Sequence, residues 1–85
     1  MTTVLPNITI KRLQTRNLDS YYLIIDEDTQ QTYFCFSNLV KSGWTELEQN
    51  YQTIKEVELE YETNDRGNNK VVSVYVSQAG DILIQ

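Results

Sequence analysis

From residue 56 to residue 62 the chain alternates without a break. Val57, Leu59 and Tyr61 take every second position, and Glu56, Glu58, Glu60 and Glu62 take the others. Successive side chains of a strand point to opposite faces, so this spacing is the signature of a half-buried β-strand. A second β-rich run, Val71-Val72-Ser73-Val74-Tyr75-Val76, follows across the polar loop Asn64-Asp65-Arg66-Gly67-Asn68-Asn69. Pairing Thr63 with Lys70 sets Val57, Leu59 and Tyr61 opposite Val76, Val74 and Val72, and both apolar rows land on one face. A one-residue slip would turn one row to the wrong side, so the hydrophobic pattern itself specifies the register.

The rest of the chain reads as further short strands rich in Ile, Val, Tyr, Phe and Thr between polar turns. Residues 7–16 form the first, with Ile8 and Ile10 on one face, Thr9 and Lys11 on the other, and Leu13 breaking the parity in the manner of a bulge or bend. Residues 21–26 and 32–37 form the second and third. The turn Glu27-Asp28-Thr29-Gln30 joins them, placing Ile25 opposite Thr32, Leu23 opposite Phe34 and Tyr21 opposite Phe36. A three-residue loop is the alternative, but it normally wants glycine at a left-handed position, and none is present there. After residue 76 a turn at Ser77-Gln78-Ala79-Gly80 precedes a last short strand over residues 81–84.

One helical signal interrupts the strands. Thr45-Glu46-Leu47-Glu48 fits a capping box, in which the threonine accepts from an amide three residues on while Glu48 reaches back. Leu47, Tyr51 and Ile54 follow at helical spacing and form one apolar stripe. Residues 37–43 add a single preceding helical turn, closed by a left-handed Gly43.

Strand, hairpin, helix, hairpin: by this order of elements the chain resembles the OB-fold, a five-stranded barrel with a helix between its third and fourth strands. An SH3-like barrel or a curved sheet packed by one helix would give similar strings. The expected fold is therefore mainly β. It is a five- to six-stranded antiparallel small barrel or curved sheet, OB-like, with one short helix between strands 3 and 4. Nothing in the chain marks a linker or repeat, and 85 residues suit a single domain over 1–85.

Composition narrows the chemistry. There is no histidine, which removes the commonest general base near neutral pH and every His-containing triad or metal set. Cys35 is the lone cysteine, so neither an intrachain disulfide nor a thiolate zinc site is expected, and between Phe34 and Phe36 it reads as a small buried apolar group. Gly43, Gly67 and Gly80 are scattered turn residues without a phosphate-cradling motif. Asp26-Glu27-Asp28 invites a calcium reading, but Gln31 and Ser37 stand where an EF-hand loop needs glycine and a bidentate acid. We expect no cofactor, no metal and no enzyme. The N-terminus lacks a secretory pattern and no run is long enough to span a bilayer, so a cytoplasmic location without membrane contact is expected.

A binding role fits better. The segments 21–25 and 33–36 are apolar on both faces, with Tyr21, Leu23, Ile25, Phe34 and Phe36 on one and Tyr22, Ile24, Tyr33 and Cys35 on the other. A small barrel has one interior, so the surplus face must be covered by the helix, a terminus, another subunit or a ligand. The OB resemblance implies that strands 2 and 3 form the ligand platform. Tyr22, Ile24, Tyr33 and Cys35 are the expected binding face, since tyrosines stack on bases and anchor protein interfaces. Tyr75 on the acidic face, and the cations Lys11, Arg12 and Arg16, are secondary candidates. Twelve acids against seven bases give a net charge of −5, which counts against nucleic acid. The expected function is accordingly a protein-interaction module or accessory subunit, with an OB-type single-stranded nucleic-acid binder as the alternative.

Overall fold

The computed structural model describes residues 1–76; the turn and strand expected beyond Val76 lie outside the described residues. Six strands and one helix follow in the order β1 (Thr2–Leu5), β2 (Ile8–Gln14), β3 (Ser20–Asp26), β4 (Thr32–Phe36), α1 (Trp44–Asn50), β5 (Val57–Thr63) and β6 (Asn69–Val76). They build one mixed sheet in the order β1-β5-β6-β4-β3-β2, in which β4 and β6 run parallel and every other neighbouring pair antiparallel. The all-antiparallel expectation is corrected by the β4–β6 pair. The helical connection lets the β5–β6 hairpin dock through β6 rather than β5, and the two reversals between β4 and β6 leave that pair parallel.

β1 and β2 are the two edges of this sheet, yet only Pro6 and Asn7 separate them. A flat six-stranded sheet would hold its edges roughly 24 Å apart, at about 4.8 Å per spacing. Three Cα steps reach at most about 11 Å. The sheet must therefore curl until its edges meet at the Pro6 corner, although no ladder joins β1 to β2 and the hydrogen bonding does not close a barrel.

The concave side holds the core. Leu5, Ile8, Ile10, Tyr22, Ile24, Tyr33, Cys35, Val57, Leu59, Val71 and Val74 are buried there, and α1 supplies the fully buried Leu47. Tyr22 sits between Trp44 and Tyr51 at 5.2 Å from each ring centroid, and Tyr33 meets Tyr61 edge-on at 5.2 Å. Aromatic contacts thus bind the helix and both hairpins to one interior.

The β3–β4 register is the expected one, Ile25 with Thr32, Leu23 with Phe34 and Tyr21 with Phe36. Its turn contains a left-handed residue after all, Gln30 at φ 66°. That amide donates to Asp26 O at 2.7 Å and its side chain to Glu27 O at 2.9 Å, while the Asp26 carboxylate accepts from Asp28 N and Thr29 Oγ1. These bonds substitute for glycine: Asp26 holds the turn backbone, while Glu27 and Asp28 accept from Thr9 Oγ1 and Asn7 Nδ2 across the turn.

Three local expectations change. Val57–Val76 and Leu59–Val74 pair as expected, but a bulge next to Glu60 and Tyr61 shifts the partner of Tyr61 from Val72 to Val71 and of Thr63 to Asn69. Leu13 marks no bulge: β2 stays in register with β3 to its end, and Leu13 simply faces outward opposite Tyr21. The capping box does not form, because α1 begins at Trp44, behind a left-handed Gly43 at φ 90° and with no side-chain cap. Gly43 is needed twice over. A Cβ there would sit 2.0 Å from Val74 O, where residues 41–43 run beside β6. The strand β1 was not expected; four residues ahead of a proline carry too short a pattern to stand out.

Candidate functional site

The four residues expected to form a binding face, Tyr22, Ile24, Tyr33 and Cys35, are instead the floor of the core, with exposures of 1%, 0%, 6% and 0%. The reason is the pairing of β2 with β3. Ile10 lies opposite Ile24 and Ile8 opposite Asp26, so the isoleucine face of β2 continues into the Tyr22–Ile24 face of β3, and α1 closes over both. Burial pushes the Cys35 thiol up to about 12, which leaves it inert at neutral pH. Tyr22 and Tyr33 are also pushed up from the ordinary phenol value, chiefly by burial.

The surplus face is the opposite one. Tyr21, Leu23 and Ile25 of β3, Phe34 and Phe36 of β4, and Leu13 of β2 are all half-buried and turn to the convex outside of the sheet. Tyr21 packs against Phe36 at 5.1 Å, and the rings of Phe34 and Phe36 lie 6.2 Å apart and nearly parallel at 4°. The half-buried residues therefore make one continuous platform, and no described residue beyond this face caps it as α1 caps the other.

Cations flank the platform on both sides. Lys11, Leu23, Phe34 and Lys70 occupy one cross-strand row over β2, β3, β4 and β6, so the two lysines stand about 14 Å apart along the sheet, three strand spacings. Lys70 Nζ lies over both phenylalanine rings, 4.6 Å from the Phe36 centroid and 5.5 Å from that of Phe34. No carboxylate points outward from within β2, β3 or β4, but Glu27 at the end of β3 accepts from Thr9 Oγ1 on this face and Glu62 of β5 stands across from Lys70, while Glu58 and Glu60 lie on the far side of β6. Lys70 was not expected at the site. Its place depends on the parallel β4–β6 pairing, which Asn69 secures by donating to Thr32 O at 3.0 Å while accepting from Thr63 Oγ1 at 2.8 Å.

The secondary candidates separate. Lys11 belongs to the platform. Arg12 faces the other way and donates to Ser20 Oγ at 3.2 Å. Arg16 lies in the β2–β3 turn beside the Leu13–Tyr21–Phe36 end of the platform. Tyr75 is 51% exposed but sits across from Glu58, away from the aromatic rows.

The β2–β3 turn carries a further anomaly. Thr15 N donates to Asp19 O at 2.9 Å and Leu18 N to Thr15 O at 3.0 Å, which leaves Leu18 left-handed at φ 67° and 73% exposed. Leu39, 40% exposed, follows Phe36 at the same end of the sheet. Among the described residues no group of three or more metal-binding side chains gathers, and no helix is long and apolar enough to cross a membrane. No protein-family model, curated protein or solved structure matches the chain, so the site stands on its own geometry.

Proposed function

We propose that this chain is a small OB-type domain that binds single-stranded nucleic acid on the convex face of β3 and β4. The observation that carries the reading is the row Lys11–Leu23–Phe34–Lys70 beside Tyr21 and Phe36: half-buried rings bracketed by cations, with carboxylates only at the margins, Glu62 across from Lys70 and Glu27 on Thr9. Rings of this kind stack on bases of any identity, and flanking lysines meet the phosphates. The strand pairings support an OB-type architecture if β1 and β2 are taken as halves of one strand bent at Pro6, pairing with β5 through the first half and with β3 through the second. On that reading five strands surround the core, and α1 falls between the third and fourth.

The test is an anisotropy titration of a labelled, mixed-sequence oligonucleotide at several salt concentrations. Two lysine–phosphate contacts give log K against log salt a slope of about −1.4 on a single strand. Phe36→Ala removes one stacking ring and weakens binding by roughly 5- to 150-fold. Absence of binding at low salt, where phosphate contacts are strongest, would refute the proposal.

A protein-docking role on the same domain has its own supporting observation, the exposed Leu18 and Leu39 beside the platform. Side chains of that kind contribute nothing to nucleic-acid stacking and suit an apolar protein contact. Photo-cross-linking from position 18 in the native host tests it, and an adduct with no protein would dismiss it.

A further inference from the structure

In the free protein the stacking surface is already occupied by one of its own cations. Lys70 stands opposite Phe34 across the parallel β4–β6 pair, and its ammonium lies over Phe36 and Phe34 even though Glu62 is its cross-strand neighbour on β5. A base cannot take the open side of the Phe36 ring until that ammonium leaves. We propose that Lys70 is a placeholder: it covers the phenylalanine pair in the free state and is handed from the rings to a backbone phosphate when a base stacks. The inference rests on the nucleic-acid reading of the platform and assigns Lys70 a second, opposing contribution to the affinity.

The two contributions differ in their dependence on salt, which makes them separable. As a phosphate contact Lys70 contributes about 0.7 to the slope of log K against log salt, which at about 20 mM salt is worth roughly 15-fold in affinity. As a lid over the rings it costs the ligand about two- to fivefold at any salt, the usual strength of an exposed cation–π contact. Lys70→Ala therefore binds an oligonucleotide about three- to sevenfold more weakly than the parent chain at about 20 mM salt, with a slope shallower by about 0.7. The two lines cross at about 0.1–0.4 M salt, above which the variant binds more tightly. A simple phosphate contact would make the lines converge only near 1 M.

The experiment titrates the full chain, Lys70→Ala and Lys70→Gln with the same labelled oligothymidine over this salt range. Proton NMR follows the Lys70 ε-methylene signals, which start upfield under the ring currents and move downfield in the complex. The glutamine variant keeps a side chain over the rings without the charge, so it shows the shallower slope with a smaller gain at high salt. An unchanged slope, lines that fail to cross, or ε-methylene signals that stay upfield in the complex would each overturn the placeholder role while leaving the platform standing. Failure of the parent chain to bind at all would overturn both.

Discussion

Replacing Leu18 by asparagine isolates the cost of a residue that is wrong for its position on two counts. Its φ of 67° is left-handed, which costs an ordinary side chain about 1–2 kcal/mol, whereas asparagine visits that region readily. The side chain is also 73% exposed. Full burial of a leucine is worth about 1.5–3 kcal/mol, so the quarter or so of its surface that is covered is worth only about 0.5 kcal/mol. Strain relief outweighs lost contact, and Leu18→Asn should stabilise the domain by about 0.5–1.5 kcal/mol. In a domain of this size the midpoint of thermal unfolding, read by circular dichroism, should rise by about 2–12 °C. Leu18→Ala is the necessary control. It gives up the same small contact but keeps a Cβ in the left-handed region, so its midpoint should fall by about 2–4 °C. A fall with asparagine, or movement of both variants in the same direction, would refute the strain argument. The asparagine variant also separates the two binding roles: it should leave oligonucleotide affinity unchanged and remove any protein contact made through position 18.

Three further outcomes follow from the core. Gly43→Ala must drive a Cβ into Val74 O and hold φ at 90°, so it should cost several kcal/mol, on the order of a large core defect, and lose the cooperative thermal transition. Tyr22 buries a hydroxyl with no hydrogen-bond partner, so Tyr22→Phe should raise stability to denaturant by about 1 kcal/mol; a loss would show that the hydroxyl is satisfied in solution. The Cys35 thiol, pushed up to about 12, keeps its proton in the folded state after the unfolded chain has lost it near pH 8.5. Folding then binds a proton, so stability should fall by up to about 1.4 kcal/mol per pH unit above about pH 8.5. Cys35→Ala should abolish that part of the slope between pH 8.5 and 10, where a parallel decline in both proteins would contradict it.

The elements that could be read in the chain are those whose information is local. The alternation of Val57, Leu59 and Tyr61 with glutamates defines β5 alone, and the four-residue turn after Asp26 fixes β4 against β3. Even there the bulge beside Tyr61 escaped, because Val71 and Val72 are the same residue type and either fills a core position. The apolar pattern of the hairpin points to the face of Tyr22, Ile24, Tyr33 and Cys35, which the structure buries. Tyr22, Ile24, Tyr33 and Cys35 are as apolar as their neighbours, and nothing within the hairpin distinguishes inside from outside. What decides is Ile10 opposite Ile24, a pairing set by a turn whose left-handed position holds a leucine where glycine or asparagine would have announced it. Lys70 was out of reach for another reason. It reaches Phe36 through a parallel pair thirty-odd residues apart in sequence, made possible by an intervening helix and two side-chain bonds of Asn69.

The net charge of −5 was the main argument against a polyanionic ligand, and its weakness is one of scale. A total charge governs the field well outside the molecule, whereas a strand lying on β3 and β4 feels the groups within a Debye length, about 8 Å at physiological salt. On these strands stand Lys11 and Lys70 and no outward carboxylate of β2, β3 or β4, the nearest acids being Glu62 beside Lys70 and Glu27 on Thr9. Glu58 and Glu60 of β5 lie two strand spacings from β4, about 10 Å, where screening weakens them, whereas Glu62 stands directly across from Lys70 and offsets part of its charge. Among the described residues the remaining acids sit in the β3–β4 turn, on α1 and in the loops, and the Asp26 carboxylate is committed to turn donors. The acidic row on β5 then acts as a border. On the proposed function, a phosphate chain that drifts off the rings toward β1 would meet Glu58 and Glu60, and the same charges that make the protein acidic would confine it to the aromatic strip.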